Sequence, residues 1–129
     1  MLESLEMSSF NTAALKDSNR PVSKIADRLE PYLRVLLDEF SPHQIILFGS
    51  YAYGQPSEHS DVDLLIIKPL HQSALHEALA IRKKWRPLMR RKERLSIELV
   101  LQSPEQHAQR LARNGEFYTE INTKGLRLA

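Results

Sequence analysis

Three carboxylates in this chain stand where carboxylates are costly. Asp61 and Asp63 lie two residues apart in the run Asp61-Val62-Asp63-Leu64-Leu65-Ile66-Ile67, and Glu98 lies inside Leu95-Ser96-Ile97-Glu98-Leu99-Val100-Leu101. Both runs are apolar and rich in β-formers, so each reads as a strand of a central sheet, on which residues two apart project from one face. A carboxylate in such a place destabilises the fold unless it is paired or bound to a cation, and several together repel one another. A divalent metal relieves that repulsion, and Mg²⁺ in particular takes carboxylate oxygens together with substrate phosphates. The spacing alone is equally compatible with a plainer arrangement, in which Asp61 starts its strand at a turn while Asp63 and Glu98 face solvent on an open sheet face.

A second segment adds phosphate chemistry. Ile45-Ile46-Leu47-Phe48 is a wholly apolar run stopped by Gly49-Ser50, and a turn continues through Ala52 to Gly54. Glycine at a strand end lets the backbone approach a ligand closely, the amides of a following helix start can hold a phosphate, and Ser50 adds a hydroxyl. Gly49 and Gly54 have the spacing of a Walker loop, but Gln55-Pro56 stands where Lys-Ser or Lys-Thr is required. Kinase-type and GTPase-type readings therefore fail. What remains is Gly-Ser, ten residues, then Asp-x-Asp.

The elements that must position these residues follow from periodicity. Residues 1–19 show no sustained pattern and read as a poorly ordered tail or a short extra turn, which leaves 20–129 as a single domain. Val22, Ile25, Leu29, Leu33, Leu36 and Phe40 recur at helical spacing and predict an amphipathic helix that Pro31 must kink or reopen before Ser41-Pro42 ends it. A second helix is expected from Ser73 to about Met89, its last turn weakened by Pro87. Ser103-Pro104-Glu105 opens a third helix running through Leu111, with Ser as cap, Pro in the first turn and an early acid. A last helical turn over 115–122 and a brief extended end complete the chain. This alternation predicts an α/β domain with a small central sheet flanked by helices.

Length and composition bound the alternatives. A chain of 129 residues builds one core, and 42% hydrophobic with 26% charged residues is the balance of a globular protein. There is no cysteine, which excludes disulfides, zinc fingers, iron–sulfur clusters and thiol nucleophiles and fits a reducing, cytoplasmic setting. No apolar run approaches the roughly 20 residues that span a bilayer. Met1–Phe10 carries Glu3 and Glu6 without a basic region before an apolar one, so export is not expected. The histidines at 43, 59, 71, 76 and 107 show no metal-ligand spacing. Trp85, at helical spacing with Leu88 and Met89, reads as core rather than a stacking platform, and Tyr51 reads as packing.

The formal net charge of +2 conceals a lopsided distribution, with −3 over residues 41–81 and +7 over 82–94. Arg82, Lys83, Lys84, Arg86, Arg90, Arg91, Lys92 and Arg94 are opposed there only by Glu93. Such a stretch suits nucleic acid, an acidic partner or substrate phosphates, or is simply a solvated helix end. Its place just before the Glu98 strand points to a polyanionic nucleotide or an acidic partner near the site, ahead of general nucleic-acid affinity.

Leu47-Phe48-Gly49-Ser50-x-Ala52-x-Gly54 followed by Ser60-Asp61-x-Asp63-Leu64-Leu65 resembles the minimal nucleotidyltransferases of the DNA polymerase β superfamily, a likeness that extends over roughly residues 22–128. The resemblance implies the polymerase-β-type fold with a small mixed sheet. It implies that Gly49 and Ser50 hold the triphosphate of ATP, that Asp61 and Asp63 bind a pair of Mg²⁺ ions, and that Glu98 is the third acid, helping to deprotonate the attacking hydroxyl. This chain departs from the pattern twice: the third acid is usually Asp, and Tyr53 stands where a basic residue is common. Short proteins of this kind resemble antitoxins encoded beside HEPN-type ribonuclease toxins, in which the nucleotidyltransferase adds AMP to a tyrosine of the toxin. That activity and that partner are the expectation. Transfer to a small molecule such as an aminoglycoside, or a module that neutralises a toxin by contact alone, are the alternatives.

Overall fold

The computed structural model describes residues 11–113 and 116–129, without the side chains of 116, 117, 119 and 122. The apolar runs form a four-stranded sheet of β1 (Gln44–Phe48), β2 (Val62–Ile67), β3 (Ile97–Gln102) and β4 (Leu126–Arg127), in the order β3-β2-β1-β4. The sheet is mixed, because β1 runs antiparallel to β2 and β4 while β2 and β3 are parallel. Helices α1 (Thr12–Leu15), α2 (Ala26–Phe40), α3 (Ser50–Tyr53), α4 (Ala74–Met89), α5 (Pro104–Ala112) and α6 (Glu116–Lys124) surround it. A parallel pair needs a crossover connection, and α4 supplies it between β2 and β3.

Alternation along the strands sorts side chains into two sets. Ile45, Leu47, Val62, Leu64, Ile66, Ile97 and Leu101 join the large core with Leu29, Leu33 and Leu36 of α2 and Ile81, Trp85 and Leu88 of α4. The intervening residues Ile46, Phe48, Leu65 and Ile67 form a small separate cluster with Ile121 of α6, and Tyr53 and Val100 pack against it. Asp63 and Glu98 belong by register to this second face, Asp63 pairing with Phe48 on one side and with Glu98 on the other.

Helices α2 and α4 are locked together by Tyr32 and Trp85. The Trp85 indole N–H donates to Tyr32 O at 3.1 Å, the rings meet edge-on with centroids 5.2 Å apart, and the Tyr32 hydroxyl accepts from Leu95 N at 3.1 Å. Trp85 is fully buried, as its helical spacing predicts. The α5 start is the capping box read from Ser103-Pro104-Glu105: Ser103 Oγ accepts from Gln106 N, and Gln106 Oε1 accepts from Ser103 N, both at 3.1 Å.

Several expectations need correction. Helix α2 does not reopen at Pro31; it runs unbroken from Ala26 to Phe40, preceded by a 3₁₀ turn over Pro21–Ile25. The buried faces of Leu29, Leu33 and Leu36 offset the hydrogen bond that proline cannot donate. Residues 11–19 are not a loose tail: α1 places Leu15 in the core at 0% exposure, and Asn11 N donates to Leu128 O at 2.6 Å. The first ten residues lie outside the described residues. Strands β2 and β3 begin at Val62 and Ile97, so Asp61 stands just before its strand and Leu95 is a buried anchor ahead of its own. Helix α4 also continues through Pro87 to Met89, and α6 extends past residue 122 to Lys124, with residue 115 outside the described residues. Among the described residues no helix is long and apolar enough to cross a membrane.

Candidate active site

The turn after β1 is built around Gly49, whose φ of +76° is a conformation that favours glycine. A Cβ at that position would overlap the Asp63 carboxylate at Oδ2, so Gly49 is required both by its backbone and by the acid lying against it. Ser50 then begins α3, leaving the first-turn amides of Ser50 and Tyr51 without partners inside the helix. The turn closes through Ala52 N to Gly49 O at 3.0 Å and Gly54 N to Ser50 O at 2.9 Å. Gly54 permits this closure, since a Cβ there would sit 2.8 Å from Ser50 Cα.

Asp63 is the half-buried member of the three acids; Asp61 and Glu98 are exposed. Burial, then the negative charges of Glu98 and Asp61, then a hydrogen bond with Glu98 push the Asp63 carboxyl up from 3.8 to about 6. Asp63 and Glu98 are brought side by side by the parallel register of β2 and β3, with Asp61 near enough to act electrostatically on Asp63. Among the described residues no three acids or histidines stand so as to enclose a metal ion as the side chains lie. The donor set nonetheless has the chemistry of a hard-cation site: two carboxylates in contact, a third beside them, and no counter-charge among the influences on Asp63.

Tyr53 and Glu120 complete the surroundings. The Tyr53 ring packs on the small cluster, and its hydroxyl is pushed above its usual range by burial first, against a lowering bond to the Gly49 backbone, with a hydrogen bond to Glu120 and the charges of Glu120 and Asp63 raising it further. Glu120 had no sequence signal, since it lies on α6, remote in the chain from every other site residue. Tyr51 packs in the core, as expected.

A cleft of about 640 Å³ opens beside Asp61, lined by Arg28, His59, Ser60, Lys92, Arg94 and Ser96 among others. Another of about 520 Å³ lies between Arg20, Lys24, Tyr51, Gln55 and Glu58. Neither contains Asp63 or Glu98, which lie on the open face of the sheet.

The model of the nucleotidyltransferase domain matches residues 29–122, from the first turn of α2 into α6, and so includes the Gly49 turn and all three acids. The chain belongs to the nucleotidyltransferase domain family. Two Methanocaldococcus jannaschii proteins, both provisionally named protein adenylyltransferases, are similar to this nucleotidyltransferase. They are 36% and 34% identical over 47 residues, which is 36% of this chain and 47% and 48% of theirs. The chain thus spans about half the length of the curated relatives it matches. No solved structure gives a significant match. The mixed sheet with flanking helices is the polymerase-β-type arrangement expected of such a nucleotidyltransferase.

Proposed function

We propose that this nucleotidyltransferase transfers AMP from ATP to a protein hydroxyl in a Mg²⁺-dependent reaction, and that the acceptor is a tyrosine of a HEPN-type toxin that the transfer neutralises. The observation that carries the reading is the Asp63 carboxylate lying against the Gly49 turn with Glu98 as its register partner on β3. The glycine turn and the acids are thereby parts of one surface, which supports a phosphate on the first beside a cation on the second. The names of the two archaeal relatives support protein as the acceptor class; the toxin rests on the motif resemblance.

Asp61, Asp63 and Glu98 are the residues that would hold Mg²⁺, which when bound neutralises the carboxylates and the charge developing on the phosphate oxygens. Ser50 and the first-turn amides of α3 receive the phosphate oxygens. The acceptor oxygen attacks the α-phosphorus, a new P–O bond forms, the bond to the β-phosphate oxygen breaks, and pyrophosphate leaves with the electron pair. The acceptor's proton passes to Glu98, the exposed acid that β3 places beside Asp63. The extra methylene of Glu98 lets an exposed side chain reach Asp63 from the neighbouring strand.

The test is labelling of the product of an adjacent HEPN-type gene with labelled ATP and Mg²⁺. The wild-type chain is expected to label it, and the Asp61→Asn/Asp63→Asn variant to lose at least about a thousandfold in rate. Equal labelling by the variant overturns the assignment. Rescue of cells by that variant, undiminished, would instead assign neutralisation to contact alone.

A further inference from the structure

The basic stretch of residues 82–94 reaches the site above only through Lys92 and Arg94, which line the cleft beside Asp61, and in the fold it divides in two. Arg82 is tied to the sheet, its Nη2 donating to Ile97 O at 2.7 Å, and Lys84 pairs with Glu39 at 3.3 Å. Lys83 is exposed on α4, and the remaining five gather at the corner where α4 leads into β3. Arg86, Arg90, Arg91, Lys92 and Arg94 are all exposed there, and among the described residues none of the five has a carboxylate within ion-pair distance.

The corner is held in shape. Arg28 of α2 donates from Nε to Glu93 O and from Nη2 to Arg94 O, both at 2.9 Å. A helix C-terminus favours a cation or two, but five unpaired cations spread over the last turn of α4 and the loop after it repel one another and invite a polyanion. The corner continues into the cleft of about 640 Å³ beside Asp61, which Lys92 and Arg94 help to line. One further observation favours a protein over a nucleic acid. The aromatic ring of this stretch, Trp85, is fully buried and offers no base a stacking surface.

We infer that the α4–β3 corner is the docking surface for an acidic segment of the protein that receives the nucleotide. Aspartates and glutamates flanking the acceptor hydroxyl meet Arg90, Arg91 and Lys92, and the cleft leads the hydroxyl toward Asp61. The inference rests on the protein-hydroxyl reading and narrows it to hydroxyls in acidic surroundings.

Binding without ATP tests the surface apart from the chemistry. Three fluorescent probes are compared by anisotropy on the full chain: a peptide with one tyrosine among glutamates and aspartates, the same peptide with glutamines in their place, and a single-stranded oligouridine of similar charge. The acidic peptide is expected to bind and the neutral one not. Arg90→Gln/Arg91→Gln/Lys92→Gln weakens binding by about tenfold or more, the triple Glu variant weakens it further, and added salt does the same. Unchanged binding by the glutamine variant, equal binding of the neutral peptide, or tighter binding of the oligouridine overturns the inference. Labelled ATP and Mg²⁺ then separate the two readings. Charge-dependent binding with no label transferred to the peptide or to a HEPN-type protein supports the docking surface and overturns the transfer reading, whereas transfer that ignores both variants overturns the docking surface alone.

Discussion

The two faces of the sheet are made from the same strands and behave oppositely. One is covered by α2 and α4 and contributes most of the buried apolar surface, with Leu47, Leu64 and Ile66 fully inaccessible. The other holds five buried apolar residues and then Asp63 and Glu98. Their carboxylates differ in the same way. At the rim of the packed face Glu77 of α4 meets the buried Lys68 at 2.9 Å and is held below its ordinary range by that bond, while Asp63 on the open face is pushed up by burial and like charges. A period of two lets one face carry stability and the other carry a charge arrangement that costs stability and serves chemistry.

Trp85→Ala strikes the packed face hardest. It deletes the ring that meets Tyr32 and the hydrogen bond to Tyr32 O, and is expected to cost about 3–5 kcal/mol in denaturant unfolding. Lys68→Met comes next at about 2 kcal/mol, because Glu77 keeps its bond from His71 N but loses its cation. The lowered Glu77 carboxyl contributes stability above its ordinary value of 4.5 that is lost as pH falls through its lower folded value. The variant's acid limb in a pH–stability curve should accordingly be flatter.

On the open face the sign reverses. Asp63 has a raised folded value, so its contribution is favourable below 3.8 and is lost as pH rises through about 6. Asp63→Asn should therefore stabilise the metal-free chain by about 1 kcal/mol at pH 8, a figure reduced for solvent screening, with the gain vanishing below pH 4. A destabilised variant at pH 8 would mean that the acids of this face are structural. The smallest effect is expected from Leu75→Ser/Leu79→Ser on α4, which are 68% and 54% exposed and belong to neither face: less than about 0.5 kcal/mol.

The legible parts were those written in short-range pattern. Gly49-Ser50 and Asp61-x-Asp63 are local motifs on apolar strands, and the structure brings Gly49 and Asp63 into contact. The α5 capping box is likewise complete within four residues. What escaped depends on distant partners. The helix needs no restart at Pro31 because three leucines of α2 are buried by other elements, and Leu15 orders its short helix through the core it enters. Glu98 is more exposed than an apolar strand suggests, since β3 is an edge strand with an open face. The Tyr53–Glu120 bond joins elements whose proximity no local periodicity records.

Strand β4 is two residues long, yet it sits along the outer edge of β1, pairing Ile46 with Arg127 and Leu47 with Leu126, while Ile45 exchanges hydrogen bonds with Leu128 and Ala129. Without it, the backbone groups of Ile45, Ile46 and Leu47 would face outward as a template for any other extended chain. A variant cut before Leu126 would expose that edge to its own copies and at the same time withdraw Leu128 from the large core, so these last residues guard an edge and fill the interior at once.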